Sequence, residues 1–339
     1  MHPTDAQTDN GRPANASATA WARSLRAVRR LLALPLLAAI LLTPAALAAP
    51  VPSAQPPTLA GCPVFPTDNA WNRRVDTLPV ARNSATLIRS IGLDANFHAD
   101  FGSGLWDGGP IGIPFTVVDG GQRKVPVRFD YADESDRGPY PVPANAPIEG
   151  GRNADGDRHV LVVDRSACKL YELYDAHPLD AGRSWRAGSG ATWDLRSNRL
   201  RPKSWTSADA AGLPILPGLA RYDEVAAGVI GHALRFTAPR TRTAFIWPAR
   251  HQAGESGDPS LPPMGLRVRL KKNVSLRGLP KQTTVIAQAM KRYGLMLADN
   301  GSPWYVSGAP DARWDNDQLH ALDRLSGRDF EVVTVRPRR

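Results

Sequence analysis

Val160-Leu161-Val162-Val163-Asp164-Arg165-Ser166-Ala167-Cys168-Lys169-Leu170-Tyr171-Glu172-Leu173-Tyr174 reads as two β-strands around a turn. The first half is a run of Val and Leu, side chains that suit a pleated, packed surface. In the second half a period of two puts Leu170, Glu172 and Tyr174 on one face and Tyr171 and Leu173 on the other. Ser166-Ala167 lies near the turn.

The flanking sequence has the same texture. Strands are expected over 113–118 and 125–129, joined as a hairpin by Asp119-Gly120-Gly121. A looser strand is expected over 185–195. His232, Leu234 and Phe236 alternate with Ala233 and Arg235, and 244–247 reads as the hairpin partner of that strand. Leu266, Val268 and Leu270 alternate with Arg267, Arg269 and Lys271, the pattern of a half-buried strand. Helical spacing marks 83–91, one turn over 222–227, then 283–293 ended by Gly294, and 315–325. Short strands over 295–298, 304–306 and 330–335 complete the chain. Many short strands between Gly/Pro turns predict a mainly β fold, a β-sandwich or jelly roll, with a few short helices, two of them near the C-terminus.

Of the 339 residues, 1–49 are read as an export signal. Arg23, Arg26, Arg29 and Arg30 precede an apolar run from Leu31 to Leu42, and Ala46-Leu47-Ala48 supplies small residues for cleavage. Residues 50–61 are Pro- and Ala-rich and read as a linker, leaving one β-rich domain over 62–335. Loss of the signal removes five Arg and two Asp and takes the formal charge from +10 to +7. The basic runs at 196–203, 267–272 and 336–339 are read first as solvated surface, with acidic glycans, phosphates or nucleic acid as their alternative partners. Cys62 and Cys168 are the only cysteines, and in an oxidising compartment they are expected to form one disulfide. The expectation is therefore a secreted or periplasmic monomer with no membrane segment after cleavage and no nucleic-acid partner.

There is no G-x-S-x-G, P-loop, H-E-x-x-H or C-x-x-C motif, which lowers the weight of the corresponding hydrolase, nucleotide and zinc chemistries. Residues 193–251 concentrate acids, bases, cations and aromatic rings. His232 and His251 are candidate proton-transfer groups, Asp209 and Asp299 candidate carboxylates, and Tyr222 a candidate base. Trp193, Trp205 and Trp247 are candidate platforms for sugar rings, and Arg235 and Arg250 candidate partners of a uronate. Each has a plainer reading as well: core histidine, helix cap or core aromatic. No metal site is expected. Asn153-Ala154-Asp155-Gly156-Asp157 has part of a calcium-loop pattern but lacks its distal acid, so an Asx-rich turn is preferred to a structural calcium at Asp155 and Asp157.

Several phrases recur as a set: Phe65 to Asn72, Asp157 to Asp164, Leu170 to Tyr174, Trp205 to Pro214, His232 to Thr237 and Ala298 to Ser302. Together they resemble a group of secreted soil-bacterial proteins to which no reaction is assigned. The resemblance implies export and a single domain, and it implies no site residue. The expected function is a carbohydrate-active enzyme, a glycoside hydrolase or polysaccharide lyase, with a non-catalytic glycan- or surface-binding protein as the alternative.

Overall fold

Val160–Asp164 is buried along its whole length and pairs antiparallel with Lys169–Tyr174, from Val160↔Leu173 to Asp164↔Lys169. The turn is built by Asp164, whose Oδ1 accepts from the N–H groups of Ser166 and Ala167 at 3.0 and 3.1 Å. Alternation sends side chains to two different cores. Leu161, Val163 and Leu170 enter the larger one, and Val160, Val162, Tyr171 and Leu173 enter a smaller one. This computed structural model describes residues 55–337. The expected export signal lies outside those residues.

The hairpin is the centre of a four-stranded sheet in the order Ser189–Asp194, Lys169–Tyr174, Val160–Asp164, Phe115–Val118. A three-stranded sheet of His177–Leu179, Ser184–Ala187 and Val127–Phe129 contributes Trp185 and Ala187 to the smaller core. The larger core is shared with a six-stranded mixed sheet. Its order is Phe330–Val332, Arg267–Leu270, Leu295–Asn300, Leu234–Ala238, Tyr305–Ser307, His98–Asp100. Two helices cover that sheet. Ser84–Gly92 buries Leu87, Ile88 and Ile91, and Lys281–Arg292 buries Val285, Ile286, Ala289 and Met290. Phe236, Trp304, Phe330 and Phe97 stack in series, with ring centres 5.5, 5.1 and 5.5 Å apart. The protein is thus mainly β, with stacked sheets and a few short helices.

Gly294 ends the longest helix at φ +71°, and a Cβ there would lie 2.2 Å from the Val268 carbonyl oxygen. Only glycine lets the helix turn directly into Leu295–Asn300. Cys62 and Cys168 form the expected disulfide, with Cα atoms 5.5 Å apart. Such a bridge belongs to an oxidising, non-cytoplasmic compartment. Among the described residues no helix is long and apolar enough to cross a membrane. The end of the expected linker is tied into the fold, because Thr58–Leu59 pairs with Cys62–Pro63.

Four local expectations are corrected. The turn after Asp119 forms, but its flanking strands part: Phe115–Val118 pairs with Val160–Asp164 and Val127–Phe129 with Ser184–Ala187, both in parallel. Packing on a buried apolar strand outweighs local hairpin closure. The strand expected over 185–195 is two strands in different sheets, broken at Gly188, where a Cβ would meet the Tyr174 ring at 2.7 Å. Residues 244–247 form no strand beside Leu234–Ala238. That place is taken by Leu295–Asn300 and Tyr305–Ser307, which bury Leu295, Leu297 and Val306. Arg267, expected on a solvated face, is buried and donates to the Ala70 carbonyl at 2.9 Å, because residues 70–75 cover that face. Burial pulls its pKa down to about 9.

Glu172 lies within the larger core without solvent contact. Its carboxyl accepts from the N–H groups of Ile215 (2.9 Å) and Leu216 (2.9 Å) and from Trp193 Nε1 (3.1 Å). It thereby pins residues 205–219 to the four-stranded sheet. Burial raises its pKa to about 7 against those hydrogen bonds. Glu172→Ala leaves three buried donors without partners and is expected to cost roughly 3 kcal/mol or more in urea denaturation. A loss under about 1 kcal/mol would show that water replaces the carboxyl at no penalty.

Candidate functional site

Trp205 to Pro214 crosses the seam between the four- and six-stranded sheets, held by a buried cation on each side. On one side Arg235, in the Leu234–Ala238 strand, grips Asp209 in a two-point bridge, Nε to Oδ2 and Nη2 to Oδ1, both 2.9 Å. Its Nη2 also donates to Asp299 Oδ2 at 3.1 Å and its Nη1 to Ser307 Oγ at 2.7 Å. On the other side His159, immediately before Val160–Asp164, places Nε2 2.9 Å from the Ala208 carbonyl and Nδ1 2.5 Å from Glu149 Oε2. A carbonyl and a carboxylate both accept, so both ring nitrogens carry protons. Burial opposes that charge, but the Glu149 carboxylate outweighs it and lifts the pKa to about 9.

The surrounding acids fall into distinct environments. Asp209 is fully enclosed, whereas the side chains of Asp299 and Glu149 keep 22% and 25% of their surface. Burial, then the negative charge of Asp209, push Asp299 up to about 7 against the pull of Arg235. Burial would also raise Glu149, but His159 holds it below the ordinary carboxylate range. Burial raises Asp100, at the end of His98–Asp100. Two partly exposed carboxyl groups whose pKa values are driven apart are a pattern expected of an acid and its ionised partner.

Glu149 opens onto a groove of about 690 Å³ that also borders Trp106, Asp107, Arg152 and Asp157. Trp106 stands on the two-residue ribbon Leu105–Trp106 and is 79% exposed. The buried Arg158 guanidinium donates to the carbonyls of Arg152 and Ala154, so a side chain of the protein neutralises oxygens of the loop that resembles a calcium site. Among the described residues no three His, Cys, Asp or Glu side chains converge as a metal site.

The candidates from sequence divide sharply. Asp209, Arg235 and Asp299 meet, but the donors of Arg235 are committed to Asp209, Asp299 and Ser307 and leave it no role as an open uronate partner. His251 lies beside this group, with Nδ1 2.8 Å from the Ala210 carbonyl and Nε2 3.9 Å from Glu134. His232 has no exposed surface and binds Glu224 at 3.0 Å, sharing no partner with Asp209 or Asp299. Tyr222 packs edge-on against Trp314, with the Arg313 guanidinium 4.4 Å over its ring. The Arg201 guanidinium lies 5.7 Å from the ring centre of Trp193 and 5.6 Å from that of Trp205. It occupies ring faces that a sugar would need. Trp247 is half-buried against the core, and Arg250 donates to the Arg201 carbonyl at 2.8 Å.

Glu149, His159 and Trp106 were not singled out from sequence. His159 had one usable signal, its place in the phrase Asp157 to Asp164. That phrase, Trp205 to Pro214, His232 to Thr237 and Ala298 to Ser302 each send one residue to the cluster: His159, Asp209, Arg235 and Asp299.

Asp209 and Asp299 should respond differently to replacement by Asn. Asp209→Asn leaves a buried guanidinium half-paired and is expected to cost about 3–5 kcal/mol. Asp299→Asn resembles the protonated acid that its surroundings already favour, and should cost under about 1 kcal/mol. It should also remove a pH dependence. The folded carboxyl titrates near 7 against an ordinary 3.8, so its stabilising contribution is full below 3.8 and is lost as pH rises through 7. Urea denaturation at about pH 4 and about pH 8 reads both effects, and equal costs for the two variants would contradict the assignment. Comparison with protein-family models, curated proteins and solved structures finds no match to this chain.

Proposed function

We propose that the protein is an exported carbohydrate-active enzyme that cleaves a glycosidic bond by acid–base chemistry. The observation that carries this reading is the pair Asp299 and Glu149, both partly open to solvent and driven apart in proton affinity, Asp299 upward by burial and Asp209, and Glu149 downward by His159. Asp299, protonated near neutrality, donates to the departing glycosidic oxygen. Glu149, kept ionised by His159, serves the opposite step as base or nucleophile. Trp106 offers an uncovered ring face beside Glu149 for a sugar to pack on. Hydrolysis is favoured over lyase elimination because the charge of Arg235 is already balanced by Asp209, so it is not free to neutralise a uronate.

The second reading is a glycan-binding protein without turnover, favoured by the exposure of Trp106 alone. A screen of the exported chain against plant, fungal and bacterial glycans separates the two. New reducing ends support hydrolysis, an unsaturated product supports elimination, and binding without product supports the second reading. Asp299→Asn and Glu149→Gln are each expected to lower turnover by about 10²-fold or more. The alkaline limb of the rate profile, set by Asp299 near 7, should vanish in Asp299→Asn. Undiminished turnover in both variants excludes this pair as the catalytic groups.

A further inference from the structure

A second groove, of about 790 Å³, shares no lining residue with the groove at Glu149. It runs along the edge strand Ser189–Asp194 and is bordered by Arg137, Lys169, Arg199 and Arg201 and by Asp136 and Asp194. These charges are unevenly committed. Arg201 is buried, pairs with Asp136 at 2.5 Å and is held over Trp193 and Trp205. Asp136 also accepts from the Thr192 N–H at 2.8 Å, and Asp194 accepts from the Arg196 N–H at 2.9 Å. Arg137, Lys169 and Arg199 are exposed, and among the described residues their side chains make no ion pair and no hydrogen bond. Three uncommitted cations thus face one groove whose remaining acid is Asp194.

We propose that this groove binds an acidic polysaccharide, a sugar chain bearing carboxylate or sulfate groups. The unpaired cations supply the attraction to the anionic groups. Thr192, Ser197 and Asp194 add hydroxyl and carboxylate acceptors suited to sugar hydroxyls. A nucleic acid fits less well, because the two indoles bordering the groove, on which bases would stack, already lie against the Arg201 guanidinium. The inference does not depend on the hydrolytic reading, because no residue of the groove takes part in that chemistry.

The test is titration calorimetry of the disulfide-bonded chain with polygalacturonate and with dextran sulfate. Neutral galactan and single-stranded DNA of matched charge are the comparisons. At least one anionic glycan is expected to bind, with a Kd that rises with salt, and neutral galactan is not. The triple variant Arg137→Ala, Lys169→Ala, Arg199→Ala removes exposed, unbonded side chains and should keep the wild-type Tm while raising that Kd about tenfold or more. Asp299→Asn and Glu149→Gln should bind as the wild type does, whether or not they turn over. Unchanged affinity in the triple variant overturns the proposal, as do equal affinity for neutral galactan, tighter binding of DNA, or no binding of either anionic glycan.

Discussion

The segment Ala208-Asp209 lies between two buried cations, and the site is arranged by that fact. Arg235 comes from the six-stranded sheet and takes the Asp209 carboxylate, while His159 comes from the start of a central strand of the hairpin sheet and takes the Ala208 carbonyl. Each cation is expensive to bury alone and becomes tolerable only with its partners in place. The two sheets can therefore close over the segment in one register only. Glu172 acts on the same segment from below, receiving the N–H groups of Ile215 and Leu216. A stretch with almost no regular structure is held as firmly as a strand, because its polar groups are answered from both sheets.

The same constraint sets the electrostatics of the site. Asp209 satisfies Arg235 almost completely, so Asp299 receives only a residual share of the guanidinium and feels the charge of Asp209 at close range. Its ionised form is disfavoured first by burial and then by that neighbouring carboxylate. Glu149 has the opposite fortune, since His159 is its own cation. Two carboxyl groups of similar exposure are thus driven toward different protonation states by neighbours that also join the sheets. Separation of this kind is what the proposed acid–base chemistry requires.

Much of the fold was legible because its signals are local. The apolar run at Val160 to Val163, the alternation from Leu170 to Tyr174 and the helical spacing that ends at Gly294 depend on periodicities of two and 3.6, which a sequence displays directly. The disulfide followed from counting cysteines after an expected export signal. Pairing between distant strands was not legible. The Asp119-Gly120-Gly121 turn is present, yet the strands beside it join different sheets, since burying Phe115–Val118 against Val160–Asp164 is worth more than closing a hairpin. Arg267 looked solvated because alternation shows which residues share a face and says nothing about what lies over it.

For the site, the sequence alone determined the inventory: which carboxylates, imidazoles, guanidinium groups and indoles exist, and that they crowd into 193–251 with an outlier at Asp299. Asp209, Arg235 and Asp299 were within reach of that reasoning. Only the tertiary structure decided which groups are spent and which are free. It paired His232 with Glu224, laid Arg201 over Trp193 and Trp205, and brought in Glu149 and His159 from stretches without a motif. The physical reason is that proton affinity and availability are set by burial and by the nearest opposite charge, and both are properties of neighbours in space.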